Sequence, residues 1–375
     1  MRRGDGGDGG EGKHHRAIAP APPLPDAPKI AMFTCNSIRC VGRAGVAWPA
    51  FRRAPLQERQ TLALSPRFRP AILAAALLTL SAPAALARQS QAVAAPFEVG
   101  DSQAGNYLAA LIAGAERDTV AASTYFREAL RGDPRNIELT ERAFLAALSN
   151  GNMRDAFQLA ARLANRPGDA SLANLALGVQ ALKQKRYQTA RTQFLKGGTS
   201  RARDVTSLLL TAWAFVGSND SKRSFETIDR LNENNVSLFR NYHAGLIADF
   251  VNKVPEASAR FKLAYDADSE TLRLVDAYAR FLSKRGKADE AKGVYEKFER
   301  LLPRHPIVTA AMAELKSGKA LRPFVDSVEA GAAEVLYGLG AAGGRQNDEL
   351  AALIYLRMSL YLKGDNALSL CLTRS

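Results

Sequence analysis

The sequence predicts an all-α protein in which antiparallel helix pairs stack into a solenoid. Alanine and leucine are frequent throughout the 375 residues, and both favour helix. Clusters of turn-forming residues at 149–152, 217–220 and 285–287 divide the chain into helical halves. A small residue also recurs at steps of 34, 34, 34, 33 and 34 residues, at Ala122, Ala156, Ala190, Ser224, Ala257 and Ala291. Such a constant interval indicates stacked repeats rather than an irregular bundle.

Each repeat combines small and aromatic residues at fixed positions. About twelve residues before the recurring small residue, most units carry another one, at Ala110, Gly178, Ala212, Gly245 and Ala279, whereas the second unit has Phe144. Four positions after the recurring residue, several units carry an aromatic, at Phe126, Phe194, Phe261 and Tyr295. Two antiparallel helices approach closely only where a small side chain faces the crossing, and we expect the aromatic to fill the gap to the next pair.

These positions resemble the tetratricopeptide-repeat (TPR) family, whose period is about 34 residues. The Leu-Gly pair at 177–178 matches the family pattern, and Pro134 and Pro303 stand where the family ends a helix. The middle units lack this proline, and the family's early tryptophan is missing throughout. The resemblance implies a right-handed superhelical solenoid with six units over residues 105–305, a role in protein binding and no catalytic site.

After Pro306 the repeat pattern weakens. We expect helices over 307–315, 325–339 and 348–362, with a loop at 316–323, as further TPR-like structure within 306–375. The turn residues at 363–366 resemble the start of another unit. The sequence therefore predicts a truncated array with an exposed apolar end around Leu362 and Leu368.

The N-terminal region predicts export. Residues 1–66 are rich in Gly, Pro, Arg and Ala without helical or strand period, which predicts disorder and a start site placed too far upstream. Residues 67–87 combine a basic region, an apolar run at 71–80 and a small-x-small site ending at Ala87, the three parts of a secretory signal peptide. We expect cleavage after Ala87, with an uncleaved membrane anchor as the alternative, and a linker at 88–104. The predicted location is the periplasm or envelope of a bacterium.

Charge and cysteine content exclude several functional classes. Residues 1–87 hold 12 Lys and Arg against 5 acids, so 7 of the 14 excess positive charges lie in the segment predicted to be removed. The remaining Lys and Arg residues alternate with acidic residues at helical spacing, which indicates a solvated surface and no nucleic-acid partner. Cys35 and Cys40 lie in the predicted extension, and Cys371 alone cannot form an internal disulfide.

No pattern of catalytic, cofactor-binding or metal-binding residues stands out. His243 and His305 lack companions at metal-ligand spacing, and His243 is expected in the groove or the core. The GxGxxG match at 338–343 follows a helical stretch rather than a strand, which favours a closely packed turn between helices over a dinucleotide loop. The sequence therefore predicts no enzyme, cofactor, metal or small-molecule substrate.

The concave face of a solenoid, lined by the first helix of each pair, is the expected partner-binding groove. Glu138 and Glu141 mark an acidic end. The partner-binding groove residues are Leu175, Val179, Leu182, Leu209, Trp213, Tyr242, Leu246, Arg273 and Arg280. Buried aromatic anchors dominate many protein interfaces. The alternative is that these apolar residues pack against neighbouring helices.

Two functions follow from these observations. The first is a protein-interaction scaffold in the cell envelope that holds a peptide or helix of an unidentified partner protein in the groove. The alternative is the non-catalytic arm of an enzyme, such as a glycosyl transferase, whose catalytic part is missing or encoded separately.

Overall fold

The computed structural model describes residues 99–166, 170–196, 201–345, 348–365 and 367–373, and every regular element in these ranges is a helix. The predicted extension, signal peptide and most of the linker lie outside the described residues. The α-helices are α1 Gln103–Ala115, α2 Thr119–Gly132, α3 Ile137–Asn150, α4 Met153–Ala164, α5 Ser171–Lys183, α6 Tyr187–Leu195, α7 Arg201–Gly217, α8 Ser221–Ile228, α9 Ser237–Phe250, α10 Val254–Ala267, α11 Leu272–Lys284, α12 Ala288–Leu301, α13 Pro306–Lys316, α14 Val328–Arg345, α15 Glu349–Leu362 and α16 Ala367–Leu372.

The first twelve helices form six antiparallel pairs, each packed on the next, and the prediction of an all-α helical-repeat solenoid is confirmed. The six recurring small residues are all buried: Ala122 is 5% exposed, and Ala156, Ala190, Ser224, Ala257 and Ala291 are fully buried. The small residues of the first helices are buried as well. Close helix contact at these positions explains the 34-residue pattern.

The aromatic rings pack within their own pair, and the ring of Phe261 also contacts the next pair. A Cβ atom at Gly178 would lie 2.3 Å from Cε1 of Phe194, and one at Gly245 would lie 3.0 Å from Cδ1 of Phe261. Each ring therefore packs on the small residue of the first helix in its own pair, and the ring of Phe261 also meets Phe281 and Tyr278 in the first helix of the next pair, with ring centroids 5.3 Å and 6.2 Å apart. The absence of a side chain at these glycines creates the space that the ring occupies.

The turn inside each pair has one recurring backbone geometry. A residue with positive φ follows the first helix of every pair, at Arg117, Gly151, Lys185, Asn219, Asn252 and Gly286, with φ between 58° and 82°. The steps between them are 34, 34, 34, 33 and 34 residues. A left-handed residue at this place ends a helix and redirects the chain. The backbone geometry of the turn therefore recurs at the same interval as the packing of the small residues.

Side-chain caps begin several helices. Asp118 Oδ1 accepts a hydrogen bond from the backbone N–H of Ala121 at 2.9 Å, and Asp220 Oδ1 accepts one from Arg223 at 3.0 Å. Ser102, Asn136, Asn152 and Asp348 cap their helices in the same way. Each cap satisfies a backbone N–H that the first turn of a helix leaves without an intrahelical partner.

The region after α13 departs most from the repeat. Residues 317–327 cross the array without helix, and α14 then continues to Arg345, six residues beyond the predicted end. The GxGxxG segment lies inside α14, so the prediction of a turn there is wrong. A Cβ atom at Gly340 would lie 2.8 Å from Cγ of Leu356 in α15, so the glycine allows close packing of these two helices.

Candidate interaction groove

The concave face of the solenoid is covered by the chain's own C-terminal hairpin, formed by α14 and α15. Helix α14 packs on α7 and α9, and α15 packs on α3 and α5, so the hairpin crosses the first helices of four pairs. Residues 331–338 of α14 are buried on every side. The hairpin and α3 to α13 share one continuous hydrophobic core.

The predicted groove residues lie beneath this hairpin or next to it. Trp213 and Tyr242 are 0% and 1% exposed, and Arg273 and Arg280 are half-buried in ion pairs. The remaining predicted groove residues are at most 9% exposed, namely Leu175, Val179, Leu182, Leu209 and Leu246. The structure thus brings them into one core, and their role in binding a partner stays a prediction.

Trp213 packs closely against α14. A Cβ atom at Gly331 would lie 2.3 Å from Cη2 of the Trp213 ring, so only glycine permits this contact without a shift. The indole also meets Phe250 edge-to-face, with ring centroids 6.0 Å apart. Trp213, which the sequence predicts as an anchor for a partner, thus packs against the chain's own helix α14.

A buried carboxylate fastens α14 to two helices of the array. Glu334, which is 2% exposed, accepts hydrogen bonds from Tyr242 OH at 2.9 Å and from Arg273 Nε at 3.0 Å, and Arg273 Nη2 also donates to it. The Arg273 guanidinium lies 4.3 Å from the ring centroid of Phe324 and 5.2 Å from that of Tyr337. We call Tyr242, Arg273 and Glu334 the carboxylate clamp.

Burial and charge set the protonation states of the clamp. Burial raises the pKa of Tyr242 well above its ordinary value, and the negative charge of Glu334 raises it further. Burial acts to lower the pKa of Arg273, but the charge and hydrogen bonds of Glu334 outweigh it and raise that pKa. Tyr242 therefore stays a neutral donor and Arg273 a cation at neutral pH.

Polar contacts hold α15 along the ends of the first helices. Arg357 Nε donates to the backbone oxygen of Ser149 at 3.1 Å, and Lys183 Nζ donates to that of Leu362 at 2.7 Å. The backbone oxygens at the end of a helix lack intrahelical donors, and these two cations supply them. Leu362 is 1% exposed, so the prediction of an exposed apolar end at this residue is wrong, while Leu368 is half-buried.

The crossing segment 317–327 is tied to α11. Ser283 Oγ accepts a hydrogen bond from Leu321 N at 2.9 Å, and Arg280 Nη1 donates to the backbone oxygen of Arg322 at 3.1 Å. Arg280 is itself held by Asp276 through a hydrogen bond of 2.8 Å. Arg280, predicted to contact a partner, thus positions the segment that leads into the hairpin.

Part of the concave face stays open at its N-terminal end. Glu138 and Glu141, the predicted acidic end, are exposed, and Glu138 forms an ion pair with Arg142 at 2.9 Å. Glu349 at the start of α15 pairs with Arg117 in the turn between α1 and α2 at 2.6 Å, with both side chains largely exposed. The hairpin is thus fastened by exposed charges at this end and by the buried clamp further along.

The two histidines within the described ranges occupy ordinary structural positions. His243 in α9 is 1% exposed, and burial lowers its pKa to about 3. His305 precedes α13, and burial lowers its pKa as well. Within the described ranges, no group of three or more His, Cys, Asp or Glu side chains is placed to hold a metal ion. In the same part of the chain, no helix combines the length and apolarity needed to cross a membrane.

Comparisons with known proteins give structural similarity only. No protein-family model and no curated protein matches the chain. The solved structures similar to it include a TPR protein from Parabacteroides merdae ATCC 43184, with 15% identity, a TM-score of 0.32, and coverage of 73% of this chain and 98% of that one. A structure of Naa15/Naa10 bound to HypK-THB shows 14% identity and a TM-score of 0.36, with coverage of 71% and 49%.

A third similar structure is the Cut9–Hcn1 hetero-tetramer of APC/C, with 15% identity and a TM-score of 0.32. The similarity covers 69% of this chain and 46% of that chain, so this chain spans less than half the length of the Cut9–Hcn1 chain it matches. Similarity at this level describes the architecture alone.

Proposed function

We propose that the chain is an interaction scaffold without a catalytic centre of its own, exported to the bacterial envelope, whose concave groove holds a helical segment of a partner protein. The observation that carries this proposal is the occupant of the groove, the hairpin of α14 and α15. Its presence indicates the type of ligand the groove accepts, a helix with small residues on one face.

The contacts of α14 define what such a partner helix requires. A glycine must lie opposite Trp213, because the indole occupies the space of a side chain at Gly331. A carboxylate three residues later must reach Tyr242 and Arg273, as Glu334 does. We propose that a partner carrying this spacing replaces the hairpin, which leaves the groove when the partner binds.

A covalent tether tests this exchange. In the variant Arg117→Lys, a carbodiimide reagent joins Lys at 117 to Glu349, since the wild-type pair is 2.6 Å apart and exposed. Wild-type protein treated in parallel is the matched control, because its other Lys–carboxylate pairs react equally while an arginine forms no amide.

The readout is capture of proteins from solubilised bacterial envelopes by the tethered and control proteins. We expect the tether to reduce the captured partner at least about tenfold, because the hairpin can no longer leave. Equal capture by both proteins would refute groove binding by exchange. Export is tested separately: N-terminal sequencing of the native protein is expected to start at Arg88, and a start at Met1 would contradict it.

A further inference from the structure

The hairpin leaves one polar group of the groove without a hydrogen bond. Trp213 is 0% exposed, and its Nε1 has no hydrogen-bond partner among the described residues. The side chains of the carboxylate clamp are, in contrast, paired, since Tyr242 and Arg273 both donate to Glu334. The ring of Phe250 beside the indole offers no oxygen or nitrogen acceptor. A buried N–H without an acceptor lowers the stability of the closed arrangement, because the donor has lost its contact with water.

The unpaired N–H lies beside α14 at Gly331. A Cβ atom at this glycine would be 2.4 Å from Cε2 of Trp213, the ring atom bonded to Nε1. The side chains one helical turn before and after Gly331 are Val328, which is 8% exposed, and Val335, which is fully buried. Neither valine carries an acceptor, and the backbone oxygens inside a helix already accept from the next turn. Helix α14 therefore fits the shape of the indole but does not pair its N–H.

Exchange of the hairpin for a partner needs at least one contact that the partner makes better. The hairpin belongs to the same chain, so it competes for the groove at a high effective concentration. A ligand shifts an equilibrium only by its difference in affinity, so a partner helix that copies only the glycine and the carboxylate gains nothing over the hairpin. The N–H of Trp213 offers such a difference to a helix that carries an acceptor beside it.

On the basis of the exchange proposed above, we propose that the partner helix carries a serine or threonine one helical turn from the glycine that packs on Trp213, and that its hydroxyl accepts the indole N–H. A hydroxyl in a helix can donate to the backbone oxygen four residues earlier and still accept, so both groups are satisfied. An amide side chain would bury N–H donors of its own. A second carboxylate would lack a cation, because Arg273 already pairs with the carboxylate of the clamp.

Synthetic peptides test this partner chemistry directly. The probes are residues 326–345 with the native sequence and the same peptide with Val328→Thr or Val335→Thr. Fluorescence anisotropy of the labelled peptides measures their binding to the full chain. We expect one threonine peptide to bind at least about tenfold more tightly than the native peptide, which corresponds to about 1.4 kcal/mol. In the chain variant Trp213→Phe, which keeps a ring but removes the N–H, this preference is expected to disappear.

The hairpin itself provides a second test that needs no peptide. Val328→Thr and Val335→Thr are made in the full chain, with Val308→Thr as the matched control, because Val308 in α13 is fully buried outside the hairpin. A hydroxyl that accepts the indole N–H is expected to keep the urea midpoint of one hairpin variant at or above that of wild type, whereas Val308→Thr lowers it. In the Trp213→Phe background, all three threonine changes are expected to lower the midpoint.

The outcomes distinguish the acceptor from the exchange. Equal binding of the three peptides, or the same threonine preference in Trp213→Phe, would overturn the acceptor and leave the exchange intact. Midpoints lowered as much in both hairpin variants as in Val308→Thr would overturn the acceptor as well. Binding of none of the peptides would contradict the exchange and with it the proposed partner, even where the midpoints show that the indole N–H pairs with a hydroxyl.

Discussion

Removing the carboxylate of the clamp is expected to destabilise the protein strongly. In Glu334→Ala, the guanidinium of Arg273 and the hydroxyl of Tyr242 lose their shared acceptor in a region where Glu334 is 2% exposed and the Arg273 side chain 17% exposed. An uncompensated buried charge of this kind costs about 3–5 kcal/mol in the free energy of unfolding.

The double variant Glu334→Leu with Arg273→Met distinguishes the loss of the ion pair from the burial of an unpaired charge. Apolar residues of similar size remove both charges, and such replacements of buried pairs are often neutral. We expect the double variant to lose about 1–3 kcal/mol, because the buried Tyr242 hydroxyl still lacks its acceptor. Glu334→Ala alone, which also leaves a buried lone cation, is expected to lose more, about 3–5 kcal/mol. The change Arg273→Met also removes the guanidinium from the rings of Phe324 and Tyr337. The methionine side chain is expected to keep contact with both rings.

Urea unfolding followed by circular dichroism and tryptophan fluorescence measures both changes. The chain has two tryptophans, and Trp48 lies in the predicted extension, so Trp213 reports directly on the groove. A loss below about 1 kcal/mol in Glu334→Ala, or a double variant as unstable as the single one, would show that the clamp does not hold the hairpin in the way described.

Two further predictions concern a buried base and a backbone turn. Because burial lowers the pKa of His243 from 6.5 to about 3, folding favours the neutral ring, and stability falls as pH decreases from about 6.5 toward 3, by about 1.4 kcal/mol per pH unit from this residue. His243→Leu, which copies Leu210 of α7, is expected to remove this part of the slope in urea titrations at several pH values; an unchanged slope would contradict the assignment. Lys185→Gly is expected to raise the free energy of unfolding by about 0.5 kcal/mol, because glycine relieves the strain at φ 59° but loses more chain entropy. Gly151→Ala at φ 82° is expected to lower it by about 1 kcal/mol, and equal effects of the two changes in thermal unfolding would refute the strain argument.

The repeat itself was predictable because it depends on local packing. Small residues such as Ala190 and Gly178 must lie where two helices touch, and their fixed interval in the sequence follows directly. The recurring left-handed turn was less visible, because Arg117 and Lys185 stand where glycine would have indicated positive φ. Here the tertiary structure imposes a backbone conformation that the residue type does not favour.

The covering of the groove was not predicted, because it joins segments far apart in the chain. Helix α14 lies more than a hundred residues from Trp213, and no local period relates them. One sequence signal existed: residues 330–343 are apolar or small on all sides of the helix except for Glu334, and a helix of that composition is expected to be buried. The isolated glutamate further required a cationic partner, which Arg273 provides.

The hairpin changes how the array is expected to unfold. In a simple solenoid each repeat touches only its neighbours, so repeats can open one after another from an end. Here α14 and α15 contact helices of separate pairs, from α3 to α9, and join them through one shared element. Because loss of the hairpin removes contacts from several pairs together, we expect the middle of the chain to unfold as a single cooperative unit, as a globular domain does.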